Sequence, residues 1–283
     1  MNRILMLMLA AAAVAACGSL PTIGGLDLNK VVGTAKDVHA AVATPEEDEE
    51  REMGHDVAAT LLGASPLMAD AAVQKYVNRV GLWVALQGSR PTLPWRFAVI
   101  DNPNVNAFAT PGGYVFITRG LLERMNSEAE LAGALAHEIA HVEKRHHLNA
   151  LKKDARMRLL GRAGSAALER AGTESEATER LAQVAGMAKS LYTRGLDKSD
   201  EYEADRVGAI LAARAGYDPY GLAQVLQTLD SVNPEASQFA LLFKTHPRPA
   251  DRLAQLDKAL GARFEKLGPR PSVEQRFVKI VLK

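Results

Sequence analysis

The segment His137-Glu138-Ile139-Ala140-His141 sets two imidazoles four positions apart, with a carboxylate directly after the first. On an α-helix such a pair lies about 40° apart in azimuth and one turn up, so both rings can reach one metal ion. Glu138 then flanks the ion, placed to take a proton from a metal-activated water. This chemistry demands a regular helix, and the flanking sequence supplies one. Ser127 and Glu130 form an S-x-x-E capping box, and Leu131, Leu135 and Ile139 recur at helical spacing. The helix is expected to run from Ser127 to about Asn149.

A catalytic zinc takes three protein ligands and keeps one position open. His147 stands six residues after His141, but that spacing needs a glycine three residues after the second histidine to bend the chain back, and the residue there is Lys144. On a continuing helix His147 faces about 240° away from His141. Arg145 and His146 then read as a polar helix end, where cations suit the macrodipole. Glu169, Glu174, Glu176 and Glu179 lie in a weakly periodic stretch. Glu201-Tyr202-Glu203-Ala204-Asp205 is the stronger candidate. It puts Glu201 and Asp205 one turn apart on one helix face, Glu201 to bind the metal and Asp205 to accept a hydrogen bond from a ligand histidine. Glu203 points about 200° from Glu201 and cannot share that role. Alone, this segment would read as a solvated face; beside H-E-x-x-H it reads as part of a site.

The N-terminus reads as an address. Arg3 precedes an apolar run from Ile4 to Ala16, 13 residues long and too short to span a bilayer, and Cys17 follows. Residues 1–16 are read as a signal peptide, and Val14-Ala15-Ala16-Cys17-Gly18 resembles a bacterial lipobox. Diacylated Cys17 would anchor residues 17–44 as a tether, and Gly18 in place of Asp favours the outer membrane of a Gram-negative cell. Cys17 is the only cysteine, so an intramolecular disulfide and a cysteine-rich zinc fold are excluded. Lys and Arg total 34 against 33 Asp and Glu, which leaves no bulk field for nucleic acid.

Along the mature chain, Glu46 to Glu50 reads as a solvated first turn of a helix. A second helix over 69–86 carries Val73, Tyr76, Val77, Val80 and Val84 on one side. Strands are expected at 97–100, 105–109 and 114–118, forming a small sheet with an edge. Helices follow over 199–215, 218–229 and 249–261. Residues 152–199 offer a candidate lid, and the end of the chain, Phe277 to Leu282, suits either an added strand or a docking segment. His39 and His55 lack evident partners.

Four blocks together resemble one zinc metallopeptidase family, that of the prenyl-protein CAAX endoproteases, HtpX, BepA, LoiP and mitochondrial Oma. They are Asn106-Ala107-Phe108-Ala109-Thr110-Pro111-Gly112-Gly113, His137 to His141, Glu201 to Asp205, and His246-Pro247-Arg248-Pro249-Ala250-Asp251-Arg252-Leu253. The lipobox points toward periplasmic lipoprotein members such as LoiP. No helical repeats follow as in BepA, and no transmembrane spans occur as in HtpX. The resemblance implies an α+β, mainly helical zincin-type domain over 45–265, with a tail over 266–283 of unassigned role. It implies one zinc ion per chain held by His137, His141 and Glu201, with Glu138 as general base. It places Asp205 and Arg252 behind the ligands and His246 near the metal, either assisting catalysis or capping the ion. Residues Asn106 to Thr110 would form an edge strand that extended substrates join. The implied function is envelope proteolysis of misfolded proteins, at the periplasmic side of the outer membrane. The alternative is a chaperone-like assembly factor with little or latent proteolysis. Oligomeric state stays open.

Overall fold

A computed structural model describes residues 22–23, 26–27, 45–153, 182, 184–189, 193 and 195–282. Cys17, most of the tether, His39, the four alternative glutamates and most of the candidate lid lie outside these residues. The chain divides into two units, one of residues 1–44 and 151–170, the other of residues 45–150 and 171–283. In the first, β1 (Thr22–Ile23) pairs antiparallel with β2 (Leu26–Asp27). The second holds everything that follows.

It is mainly helical with a three-stranded mixed sheet. β3 (Arg96–Ile100), β4 (Ala107–Thr110) and β5 (Tyr114–Thr118) run in the order β3-β5-β4, with β3 parallel and β4 antiparallel to β5. The Pro111–Gly113 turn that joins β4 to β5 places Gly112 and Gly113 at φ 76° and 100°, where a side chain would be strained. Helix α1 (Glu47–Ala64) precedes the sheet, and α2 (Ala71–Ala85) buries its valine stripe and Tyr76 against it. The Asp70 side chain caps α2 by accepting from Ala72 N and Val73 N. After the short α3 (Arg119–Leu122) comes α4 (Glu128–Glu143), capped by Ser127. The rest is α5 (Lys198–Arg214), α6 (Gly221–Asp230), α7 (Ala240–Thr245), α8 (Pro249–Phe264) and α9 (Glu274–Val281).

α4 is the axis of the core. Residues 128–142 are all buried, and the large side chains Leu131, Leu135 and Ile139 are fully so. Alanines at 132, 136 and 140 let neighbouring helices approach closely. Where α5 crosses, a Cβ on Gly208 would meet His137 N at 2.8 Å. That contact fixes α5 against the turn of α4 that carries the first histidine.

Three sequence expectations change here. Glu50 is not on a solvated face: it is fully buried, because the first turn of α1 lies against the Gly112 turn. α4 stops at Glu143 instead of reaching Asn149. The chain end is a helix, not a strand: Phe277, Ile280 and Val281 recur at helical spacing, and all three pack on the core. Its neighbour Arg276 reaches Glu128 at the start of α4, whose carboxylate also accepts from Tyr76 Oη (2.6 Å) and Tyr217 Oη (2.7 Å).

Burial pushes the Glu128 carboxyl up, but Arg276 and the two phenols outweigh it and hold it below its ordinary 4.5. A folded value below the unfolded one contributes stability above the unfolded value, and that contribution is lost as pH falls through the folded value. Glu128→Gln should therefore be less stable than the parent at pH 7, by about 1–3 kcal/mol. Chemical denaturation across pH should show this gap closing below pH 4.5; a gap constant from pH 7 to 3 would contradict the pairing.

Candidate metal centre

The two histidines of α4 meet as their spacing requires. His137 Nε2 and His141 Nε2 lie 3.0 Å apart. Glu201, from the first turn of α5, completes the group. Its Oε2 is 3.6 Å from His137 Nε2 and its Oε1 is 3.6 Å from His141 Nε2. His246, which follows α7, donates its Nδ1–H to Glu201 Oε2 at 2.7 Å. Ligand atoms of His137, Glu201 and His246 lie within 4.8 Å of one another. Glu138 lines the same cleft.

The tautomers follow from the outer partners. Asp205 Oδ1 lies 2.9 Å from His137 Nδ1, so the Nδ1–H donates there and the Nε2 lone pair faces the centre. Arg252 binds Asp205 through Nε (3.0 Å) and a second nitrogen (2.6 Å), which holds that carboxylate in place. The arginine also lies 3.2 Å from His137 Nδ1, but a nitrogen already giving its proton to Asp205 has no lone pair for it. His141 Nδ1 is 2.9 Å from His146 Nδ1, and His146 Nε2 is 3.4 Å from Glu203 Oε2. A proton on His141 Nδ1 and another on His146 Nε2 satisfy both contacts and leave His141 Nε2 free as well.

Charge and burial agree with this arrangement. Burial pushes the Glu201 carboxyl up, but His246, His137 and Arg252 outweigh it and bring it down to about 2. Asp205 is likewise held low, by Arg252 and His137 against its burial. Burial pushes Glu138 above the ordinary carboxylate range, as suits a proton acceptor. Burial lowers His141 well below its usual value, which keeps it neutral. Glu201 Oε1 is buried without a hydrogen-bond partner. Two free imidazole nitrogens and an orphaned carboxylate oxygen, all converging, fit a metal with three protein ligands.

The sequence reads Arg145 and His146 as a polar helix end and turns His147 away from His141, and the structure differs at both histidines. After Glu143 the chain turns at Lys144 and Arg145, and a new helical segment opens at residue 146. Arg145 adopts the left-handed region, φ 55°, with no glycine present. Buried Glu50 holds it there: Oε2 accepts from Arg145 Nε at 3.0 Å, while Arg90 binds the same carboxylate at 2.8 and 3.0 Å. The bend lays His146 on His141 and brings His147 into the cleft. Glu203, the carboxylate facing away from Glu201, is the partner of His146 and also of Lys144 Nζ (3.0 Å). The sequence signal that was available for these residues is the surplus of histidines after the motif.

Asn106, Ala107 and Phe108 line the cleft opposite Glu138, and β4 is an outer strand of its sheet. All residues from Asn106 to Thr110 are buried. His55 is exposed on α1, edge-on to Tyr114.

The profile of peptidase family M48 matches residues 71–260, about two thirds of the chain. The β-barrel assembly-enhancing protease of Yersinia pestis is 30% identical over 255 residues, which cover 88% of this chain and 50% of the relative. The mitochondrial metalloendopeptidase OMA1 of Schizosaccharomyces pombe is 26% identical over 185 residues, 65% of this chain and 52% of the relative. The protease HtpX homolog of Acidiphilium cryptum is 28% identical over 230 residues, 69% of this chain and 77% of the relative. The chain spans about half the length of the first two.

Glu50→Ala should strand two partly buried arginines and release the Arg145 bend. The expected cost is about 1–3 kcal/mol in urea denaturation, with metal affinity lowered about 10–100-fold through His146. Parent-like stability together with parent-like metal affinity would show that the bend does not depend on Glu50.

Proposed function

The chain belongs to peptidase family M48 and is a metalloendopeptidase, and on that premise we propose a zinc enzyme that hydrolyses extended or misfolded envelope proteins. The observation that carries this reading is the convergence of His137 Nε2, His141 Nε2 and the orphaned Glu201 Oε1 beside Glu138. These three residues would hold zinc, which when bound polarises a carbonyl and an attacking water. Glu138 takes the proton of that water and returns it to the leaving amine; burial has raised its basicity for this task. Asp205 and His146 fix the rings, and Arg252 fixes Asp205.

His246 acts as a cap in this reading. It lines the cleft and binds Glu201 Oε2, an oxygen that also faces His137 Nε2. On this reading a peptide reaches the centre when His246 leaves. The backbone of Asn106 to Thr110 would then receive an extended segment by main-chain hydrogen bonds, so fold state rather than a fixed residue motif would select the substrate. The relatives named for β-barrel assembly support unfolded outer-membrane or periplasmic proteins as that substrate. Residues 45–265 would be the catalytic domain, with α9 clasping it through Arg276.

Among the described residues no helix is long and apolar enough to cross a membrane. Membrane attachment would come through lipid on Cys17 after removal of residues 1–16, at the periplasmic side of the outer membrane. The closed cleft also favours a second reading, an assembly factor that binds unfolded proteins while its proteolysis stays latent.

Zinc-loaded protein lacking residues 1–16 should degrade casein, and Glu138→Gln should keep zinc while losing turnover by at least about 10³-fold. Turnover by the Gln variant would sink the mechanism. His246→Ala should cleave faster than the parent; a slower rate would make His246 a participant instead of a cap.

A further inference from the structure

We propose that His147 is a further catalytic residue, whose Nε2 hydrogen-bonds the carbonyl oxygen of the peptide bond being cut; this rests on the endopeptidase reading above. The ring is 9% exposed, and its Nε2 is buried with no hydrogen-bond partner. An unsatisfied buried nitrogen costs about 1–3 kcal/mol, so a folded chain keeps one where a ligand group meets it. His147 lines the cleft together with Glu138, His141 and Glu201, the residues that surround the reacting carbonyl. Its ring centroid lies 5.6 Å from that of His141.

The metal is not the missing partner. On the reading above the metal already has its three protein ligands in His137, His141 and Glu201, whose facing atoms lie within 3.6 Å of one another. The contrast with its neighbour is informative. His146 has both nitrogens engaged, by His141 and by Glu203, and so serves to position a ring. His147 lines the cleft, and its Nε2 has no hydrogen-bond partner among the described residues. Its placement is rigid, because the Arg145 turn that delivers it is pinned by the buried Glu50 carboxylate. A neutral imidazole carries one N–H, and on Nε2 it supplies the donor that the carbonyl oxygen needs. The proton stays on Nε2 throughout. The bond strengthens as charge develops on the carbonyl oxygen, which is what a fixed donor in a dry cleft contributes to a rate.

The test uses the zinc-loaded parent, His147→Leu and His147→Gln, with a quenched fluorescent peptide as substrate and a phosphinic peptide as a tetrahedral mimic. His147→Leu should lower kcat about 10²–10³-fold and weaken phosphinic-peptide binding in parallel. KM should stay within about twofold and zinc at one per chain. His147→Gln, which retains an N–H donor, should recover at least about tenfold of the loss. Unchanged kcat in His147→Leu, zinc lost in step with activity, or equal loss in both variants with zinc retained would each overturn the proposal. A parent that cleaves while His147→Leu cleaves equally removes His147 alone. A parent that neither cleaves nor binds the phosphinic peptide removes the endopeptidase reading and this proposal with it.

Discussion

The structure depends on keeping carboxylates dry around one buried helix. Removing a carboxylate from water is costly unless opposite charge and hydrogen bonds meet it. Three are met by arginine along the length of α4. Glu128 at its first turn is paired with Arg276, Asp205 beside His137 with Arg252, and Glu50 beyond its last turn with Arg90 and Arg145. These pairs fix where α4 starts, how its first histidine is turned, and where the chain leaves it. The fourth, Glu201, is met by His246 on one oxygen only. The oxygen left over is the one that faces His141 Nε2. In the proposed reading a metal would complete the set, and the rule that explains the fold would then also locate the centre.

Much of this was legible because it is periodic or local. The apolar stripe of α2, the Ser127 cap and the two pairs of residues four apart, His137 with His141 and Glu201 with Asp205, are consequences of 3.6 residues per turn. The strands around Pro111-Gly112-Gly113 came from turn chemistry. The sheet order, with one parallel pair, was not readable from those strands, since register is set by tertiary packing.

What was missed shares one cause. Glu50, Arg145, His146, His147 and Glu203 are charged or polar residues whose places are decided by partners far away in sequence. Glu50 looked like one acid among five in a first turn, yet the Gly112 turn covers it. Arg145 looked like helix continuation. A non-glycine residue in the left-handed region costs about 1–2 kcal/mol, and the Glu50 carboxylate offsets that cost. With the bend in place, His146 turns from a surface cation into the residue that orients His141. The chain end suits an added strand or a docking segment by its alternating apolar residues, and the core instead takes it as a helix through Phe277.

In the proposed centre a single metal ion satisfies the orphaned Glu201 oxygen and the two free imidazole nitrogens. Zinc K-edge X-ray absorption on the zinc-loaded protein, with metal content measured on the same sample, tests it most directly. The predicted result is one zinc per chain in a shell of nitrogen and oxygen only, near about 2.0–2.1 Å, with the ring scattering of at least two imidazoles. Substoichiometric zinc, or a shell showing fewer than two imidazoles, would contradict it.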